Sequence, residues 1–242
     1  MLLRLRVELP DRPGSLGQVA RTLGVAGADI VQVIVLERIG GRAVDDFTVM
    51  WPASGPVDRV LAGLAAVPGV RVDGVWRATE LPEPSGREVA VLAQIAANRE
   101  RGLMTMVDAV PGMFAAQWAA VATVGDDWAS GTGSADLVCA SWQAPAVPSV
   151  PDLAPLRPRA LTAADGTHMA VAPFHRGGLV LVVARGGPEA PDGATLFPPA
   201  FHRGEVDRLA QLVDAVGAVM GPGLEAAAAS GRRDVVAGGR AA

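Results

Sequence analysis

The chain contains no lysine, so its 21 basic side chains are all arginine. It has one cysteine and three histidines, and only 19% of its residues are charged. Each shortage closes a class of function. A single cysteine, Cys139, can form no disulfide within the chain and no cysteine-built metal site. His168, His175 and His202 lack the spacing of metal ligands. A net charge of −4 without a basic stripe argues against nucleic acid as a partner. Arg4, Arg6 and Glu8 interrupt the apolar N-terminus, which reads as neither a signal peptide nor a membrane span. The expectation is a soluble cytoplasmic protein with no membrane partner, no cofactor and no metal. Half of the 242 residues are hydrophobic, so a core is available for one large domain or two modest ones.

What is present is organised around Asp11-Arg12-Pro13-Gly14-Ser15-Leu16. Before it, Leu3, Leu5, Val7 and Leu9 alternate with Arg4, Arg6 and Glu8, the period of a strand with one buried face. Pro10 and Pro13 are expected to stop the ladder, since neither donates a backbone hydrogen bond. After it, Leu16, Val19, Ala20, Leu23 and Ala26 recur at helical spacing. Gly14 therefore sits where strand turns to helix and where another group can approach the backbone closely. Amides at Gly14, Ser15 and Leu16 have no partner inside the helix and suit a carboxylate or another small anion. The plainer reading is that Asp11 or Ser15 caps the helix.

The pattern continues through residue 79. Ile30 to Leu36 is apolar on both faces apart from Gln32, as in a strand covered on both sides or one that meets a partner. Val44 to Trp51 gives a third strand, with Asp45 and Asp46 near its start. Pro56 opens a second helix whose buried stripe is Val57, Val60, Leu61 and Leu64. Pro68-Gly69 stops it, and Val70 to Arg77 is the last strand. The order strand, helix, strand, strand, helix, strand is the split βαβ arrangement, with an antiparallel sheet and two helices on one face.

That order, the Asp11-to-Leu16 loop and the turn Gly27-Ala28-Asp29-Ile30 resemble an ACT domain over residues 1–79. The resemblance implies pairing of two such domains and an amino-acid ligand at their interface. It places Asp11, Gly14, Ser15, Leu16, Asp29 and Ile30 at the ligand. Asp11 and Asp29 stand where ligand-binding members often carry Asn. An ionised Asp accepts hydrogen bonds but cannot donate them. The pair would therefore favour a cationic group, or the domain would only dimerise.

Residues 80–87 form a proline-containing linker. Beyond it, Val89, Leu92, Ile95 and Ala96 make a helical stripe that Leu103, Met104, Met106 and Val107 continue, the methionines reading as core fillers. Gln117 to Val124 and Leu137 to Gln143 read as strands. Between them Gly125 to Ser134 is rich in glycine but lacks the lysine and helix of a phosphate loop. Ala144 to Pro158 is a proline-rich connection. His168 to Phe174 and Leu179 to Arg185 form a hairpin through Arg176-Gly177-Gly178. Gly186 to Pro199 is irregular. Phe201 to Met220 is a helix with Val206, Leu209, Val213, Val216 and Met220 on one face. Helix, two strands, irregular connection, two strands, helix resembles a GAF-type sensor domain over residues 88–221. The fold class expected is therefore α+β: a ferredoxin-like βαββαβ ACT domain followed by a GAF-like domain with a central antiparallel sheet. Residues 222–242, mainly Ala, Gly and Arg, are expected to be a mobile tail.

No catalytic site is expected. Cys139 and His168 are the one nucleophile–base candidate, and they fall on separate strands. Asp45 and Asp46 are strand neighbours and point to opposite faces. Trp51, Trp76, Trp118 and Trp142 read as core or interface groups. The function implied is a non-catalytic amino-acid-binding regulator acting as a homodimer. The alternative is a ligand-free dimerisation or protein-interaction module.

Overall fold

The computed structural model spans Met1–Ala242, and the residues described are all but 53–54, 79, 81–85, 125–134, 147, 149–150, 154, 177, 187–195, 227–228 and 230–242. The chain is α+β and divides into two compact units, one of Met1–Pro82 with Gly186–Pro199, the other of Glu83–Arg185 with Ala200–Ala242. Both contain an antiparallel sheet. Among the described residues no helix is long and apolar enough to cross a membrane.

The first unit runs β1 (Leu2–Pro10), α1 (Ser15–Val25), β2 (Asp29–Ile39), β3 (Arg42–Met50), α2 (Val57–Ala65) and β4 (Arg71–Arg77). The sheet order β2-β3-β1-β4 is the ferredoxin-like one. Alternation in β1 sends Leu3, Leu5, Val7 and Leu9 to the helix side, where they pack with Val19 and Leu23 of α1 and Val57, Val60 and Leu64 of α2. The ladder ends at Pro10, as expected. Pro10 pairs with Arg42 as the last residue of β1, where a missing N–H is tolerated. On the other face Arg6 donates from Nε and Nη2 to both carboxylate oxygens of Asp46, at 2.7 and 2.8 Å.

The two edges of this sheet differ. Val75 of β4 exchanges backbone hydrogen bonds with Phe197, at 2.9 and 3.0 Å, and Leu196 joins the core. The sequence reads 186–199 as a loop of the later domain; of its described residues, 196–199 pack in the first unit, while 187–195 lie outside the described residues. Gly74 makes this contact possible, since a Cβ there would lie 2.5 Å from Pro199 Cδ and 2.7 Å from Pro199 N. Gly74→Val is expected to lower stability by about 1–3 kcal/mol through overpacking. A melting temperature equal to wild type would contradict this placement. The other edge is β2. It is not covered on both sides: Val31, Val33, Val35 and Ile39 are 37–68% exposed.

The second unit runs α3 (Arg87–Ala97), α4 (Gly102–Phe114), β5 (Trp118–Val124), β6 (Ala135–Ala140), β7 (Arg159–Thr162), β8 (His168–Pro173), β9 (Leu179–Arg185) and α5 (Arg203–Met220). Its sheet order is β6-β5-β9-β8-β7. One face packs on α3, α4 and α5; the other is covered by Leu153 and its neighbours. Burial on both faces explains the unbroken apolar run of β9. The short strand β7 is not legible in the sequence, because four residues of an edge strand offer little periodicity. The stripe of α3 is also displaced from expectation. Val91 and Ile95 face the core, while Val89 is 69% exposed. Trp142 is 81% exposed and is no core residue. The glycine-rich 125–134 loop lies outside the described residues, as does the expected tail from residue 230. At the head of that tail, Leu224 is buried in the core.

Arg185, at the end of β9, is the largest fully buried side chain among the described residues. Its Nη2 donates to Glu205 Oε1 and to the Phe114 carbonyl, both at 2.6 Å, and its Nε donates to the Ala115 carbonyl at 3.3 Å. Arg185 thereby satisfies carbonyls that α4 leaves at its C-terminus. The guanidinium also stacks 4.1 Å from the Phe201 ring centroid. Glu205 in turn accepts from the His202 amide at 2.8 Å and completes a capping box at the start of α5.

Candidate functional site

The β1–α1 loop turns at Gly14, whose φ of 90° is left-handed and suits glycine alone. An added Cβ would meet nothing within 4 Å, so the backbone here is open. Neither Asp11 nor Ser15 caps α1; its N-cap is Gly14, with no side-chain bond. Ser15 is buried, and its amide donates to the Arg12 carbonyl at 3.3 Å, so it is not free for a ligand. Among the described residues, the Gly14 and Leu16 amides carry no such backbone bond. Leu16 is 43% exposed.

Asp11 is engaged elsewhere. Arg38, near the end of β2, donates to it from Nε at 3.1 Å to each oxygen and from Nη2 at 2.5 Å. The Arg38 hydrogen bond holds the Asp11 carboxyl below the usual carboxylate range. Nothing in the sequence marks Arg38, since a charge at the end of an edge strand carries no signal of its own.

Asp29 and Ile30 lie at the other end of the sheet. Asp29 and Leu2 both pair with Met50, whereas Pro10 and Ile39 both pair with Arg42. These ends of β3, a nine-residue strand, are roughly 27 Å apart at about 3.4 Å per residue. Within one chain, Asp11 and Asp29 therefore share no ligand and do not repel each other. Asp29 is exposed and Ile30 packs on the core.

The structure adds Asp45 to the Asp11 end. It sits on the helix face of the sheet, opposite Val7 and Val35. It is 3% exposed, and its Oδ1 has no hydrogen-bond partner. Burial pushes its carboxyl above the usual range, against the pull of Arg38. Alternation does contain the signal: Ala43, Asp45, Phe47 and Val49 share the core face, and Asp45 is the charge among them.

Cys139 and His168 do not meet. They lie on β6 and β8, three strand spacings apart in the sheet order, roughly 14 Å. Burial pushes the Cys139 thiol up to about 12, so it stays protonated at neutral pH. Among the described residues no group of three or more His, Cys, Asp or Glu side chains is placed to hold a metal ion.

No family model matches the chain, and no curated protein matches it. Some solved structures are similar to parts of it. A formyltetrahydrofolate deformylase from Pseudomonas putida KT2440 is 15% identical over 41% of this chain and 39% of its own, with a TM-score of 0.29. This chain thus spans about two-fifths of that deformylase. An unknown protein from Galdieria sulphuraria is 14% identical over 76% of this chain and 79% of its own, with a TM-score of 0.29. A putative glycine cleavage system transcriptional repressor is 10% identical over 78% of this chain and 82% of its own, with a TM-score of 0.27. Likenesses at these scores carry no argument about function.

Proposed function

We propose that this chain is a non-catalytic regulatory protein, an ACT domain joined to a GAF-like domain, that binds a free amino acid between two copies of its first unit. The observation that carries this reading is the open β2 edge together with the placement of Asp11 and Asp29 at its two ends. An exposed edge strand is a template for pairing with another chain. Two copies of β2 running antiparallel about a two-fold axis form an isologous contact. Centred on Ile34, the pairing sets residue 29 of one copy opposite residue 39 of the other. Asp29 of one copy then lies beside Arg38 and Asp11 of its partner. Val33 and Val35, exposed in one chain, would be covered in the pair. The open amides of the Gly14 loop would receive the ligand carboxylate. A ligand held by both copies would favour the arrangement that brings them together, and so would shift a conformational equilibrium.

The test is the melting temperature of the purified chain against a panel of free amino acids. A ligand at about a hundred times its dissociation constant adds roughly 2.7 kcal/mol of stability. The expected result is an upward shift with one amino acid, lost in Asp11→Ala and in Asp29→Ala. No shift across the panel would sink the ligand-binding reading. Sedimentation tests the pairing by itself. Wild type should sediment as a dimer, and Val35→Arg as a folded monomer. A wild-type monomer at all concentrations would remove the shared site.

The competing reading is a ligand-free dimerisation module. The Arg38–Asp11 pair favours it, since the chain already supplies a cation to that carboxylate. It expects the same dimer and no response to any amino acid.

A further inference from the structure

Asp11, Arg38 and Asp45 form a cluster of two carboxylates and one guanidinium at one end of the sheet, where Glu8 pairs separately with Arg42 and Arg71. Arg38 is committed to Asp11 by three close contacts. Asp45 lies within the electrostatic reach of Arg38, Asp46 and Asp11, but Asp46 is already neutralised by its forked bond from Arg6. One negative charge is left over, and it belongs to the most buried member. An unpartnered buried carboxylate oxygen is costly, and a native structure keeps one for a reason. Arg38 is the exposed element of this cluster, with its side chain 65% exposed and held on Asp11.

We propose that Asp45 is the counter-ion for the ligand's ammonium group, and that Asp11 serves the site by holding Arg38 away from it. This rests on the ligand-binding reading above and narrows it to compounds that carry a protonated amine. Asp45 then supplies the acceptor for the amine, while the Gly14 loop at the same end of the sheet supplies donors for a carboxylate. Removing Asp11 releases Arg38 onto Asp45, and the chain's own cation closes the site.

The experiment uses the full chain and reads melting temperature. Each amino acid of the panel is accompanied by its decarboxylated amine and its deaminated acid. In wild type the responding amino acid and its amine should raise the midpoint, and the acid should leave it unmoved. Asp45→Asn should lose the response to both. Without ligand, that variant should melt higher than wild type, because a desolvated charge whose Oδ1 has no donor has been removed. Asp11→Ala should lose the response, and Asp11→Ala with Arg38→Gln should regain it. Three outcomes overturn the proposal: an acid that shifts the midpoint as its amino acid does, an Asp45→Asn protein that still responds, or an Asp45→Asn protein that melts lower or fails to fold. The last would make Asp45 a structural group. A wild type that answers to no compound instead defeats the ligand-binding reading, and the melting temperature of Asp45→Asn still reports on Asp45.

Discussion

Glu205→Ala is expected to destabilise the second unit by about 3–5 kcal/mol, the effect of removing one partner from a buried ion pair. Arg185 would keep its bonds to the carbonyls of Phe114 and Ala115 and its place over Phe201. Its charge would lose the Glu205 carboxylate in a position only 1% exposed. The same substitution takes the acceptor from the His202 amide, and so removes half of the capping box of α5. Glu205→Gln separates the two effects, because its amide oxygen still accepts from that amide while the charge is gone. It should fall between wild type and alanine. Denaturant unfolding of the three proteins measures this. Equal stability of wild type and Glu205→Ala would mean that Arg185 is held by the carbonyls alone.

The second large effect belongs to the first unit. Asp46→Ala should destabilise it by about 3–5 kcal/mol, since Arg6 would be left buried without its forked partner. Arg6 also lies 5.7 Å from the Trp76 ring centroid, and a ring face offers a cation far less than a carboxylate does. The double change Arg6→Met with Asp46→Leu removes both charges and keeps apolar volume. It should return most of the loss, because two desolvated charges and their attraction roughly offset one another. A double variant as unstable as the single one would show that the pair specifies this sheet beyond charge balance.

How much of this was legible in the sequence follows from what a pattern can carry. The alternation of Leu3, Leu5, Val7 and Leu9 and the helical spacing of Val19 and Leu23 identified β1 and α1, because one face of each is buried and the other is not. Gly14 was legible because a sharp turn between strand and helix calls for a left-handed residue. The partners of Asp11 were not. Arg38 lies 27 positions further on, and no local rule joins the end of one strand to the loop after another. The opposite-end placement of Asp11 and Asp29 does follow from the topology: β1 and β2 both pair antiparallel with β3, so they run in the same direction. The strap at Leu196 and Phe197 was illegible, because two apolar residues among prolines look like any loop until their partner strand is known. His202 as a helix cap was likewise hidden, since histidine is not among the usual capping residues.

A site made by two copies is tested most directly by complementation between variants. Asp11→Ala and Asp29→Ala proteins should each fail to bind the amino acid that stabilises wild type. Mixed and allowed to exchange, they form dimers in which one site has both changes and the other has neither. Calorimetric titration of the mixture should then recover binding, with the affinity of wild type and a reduced number of sites. A mixture as inert as its two components, under conditions where exchange is shown by sedimentation, would contradict a site shared between copies.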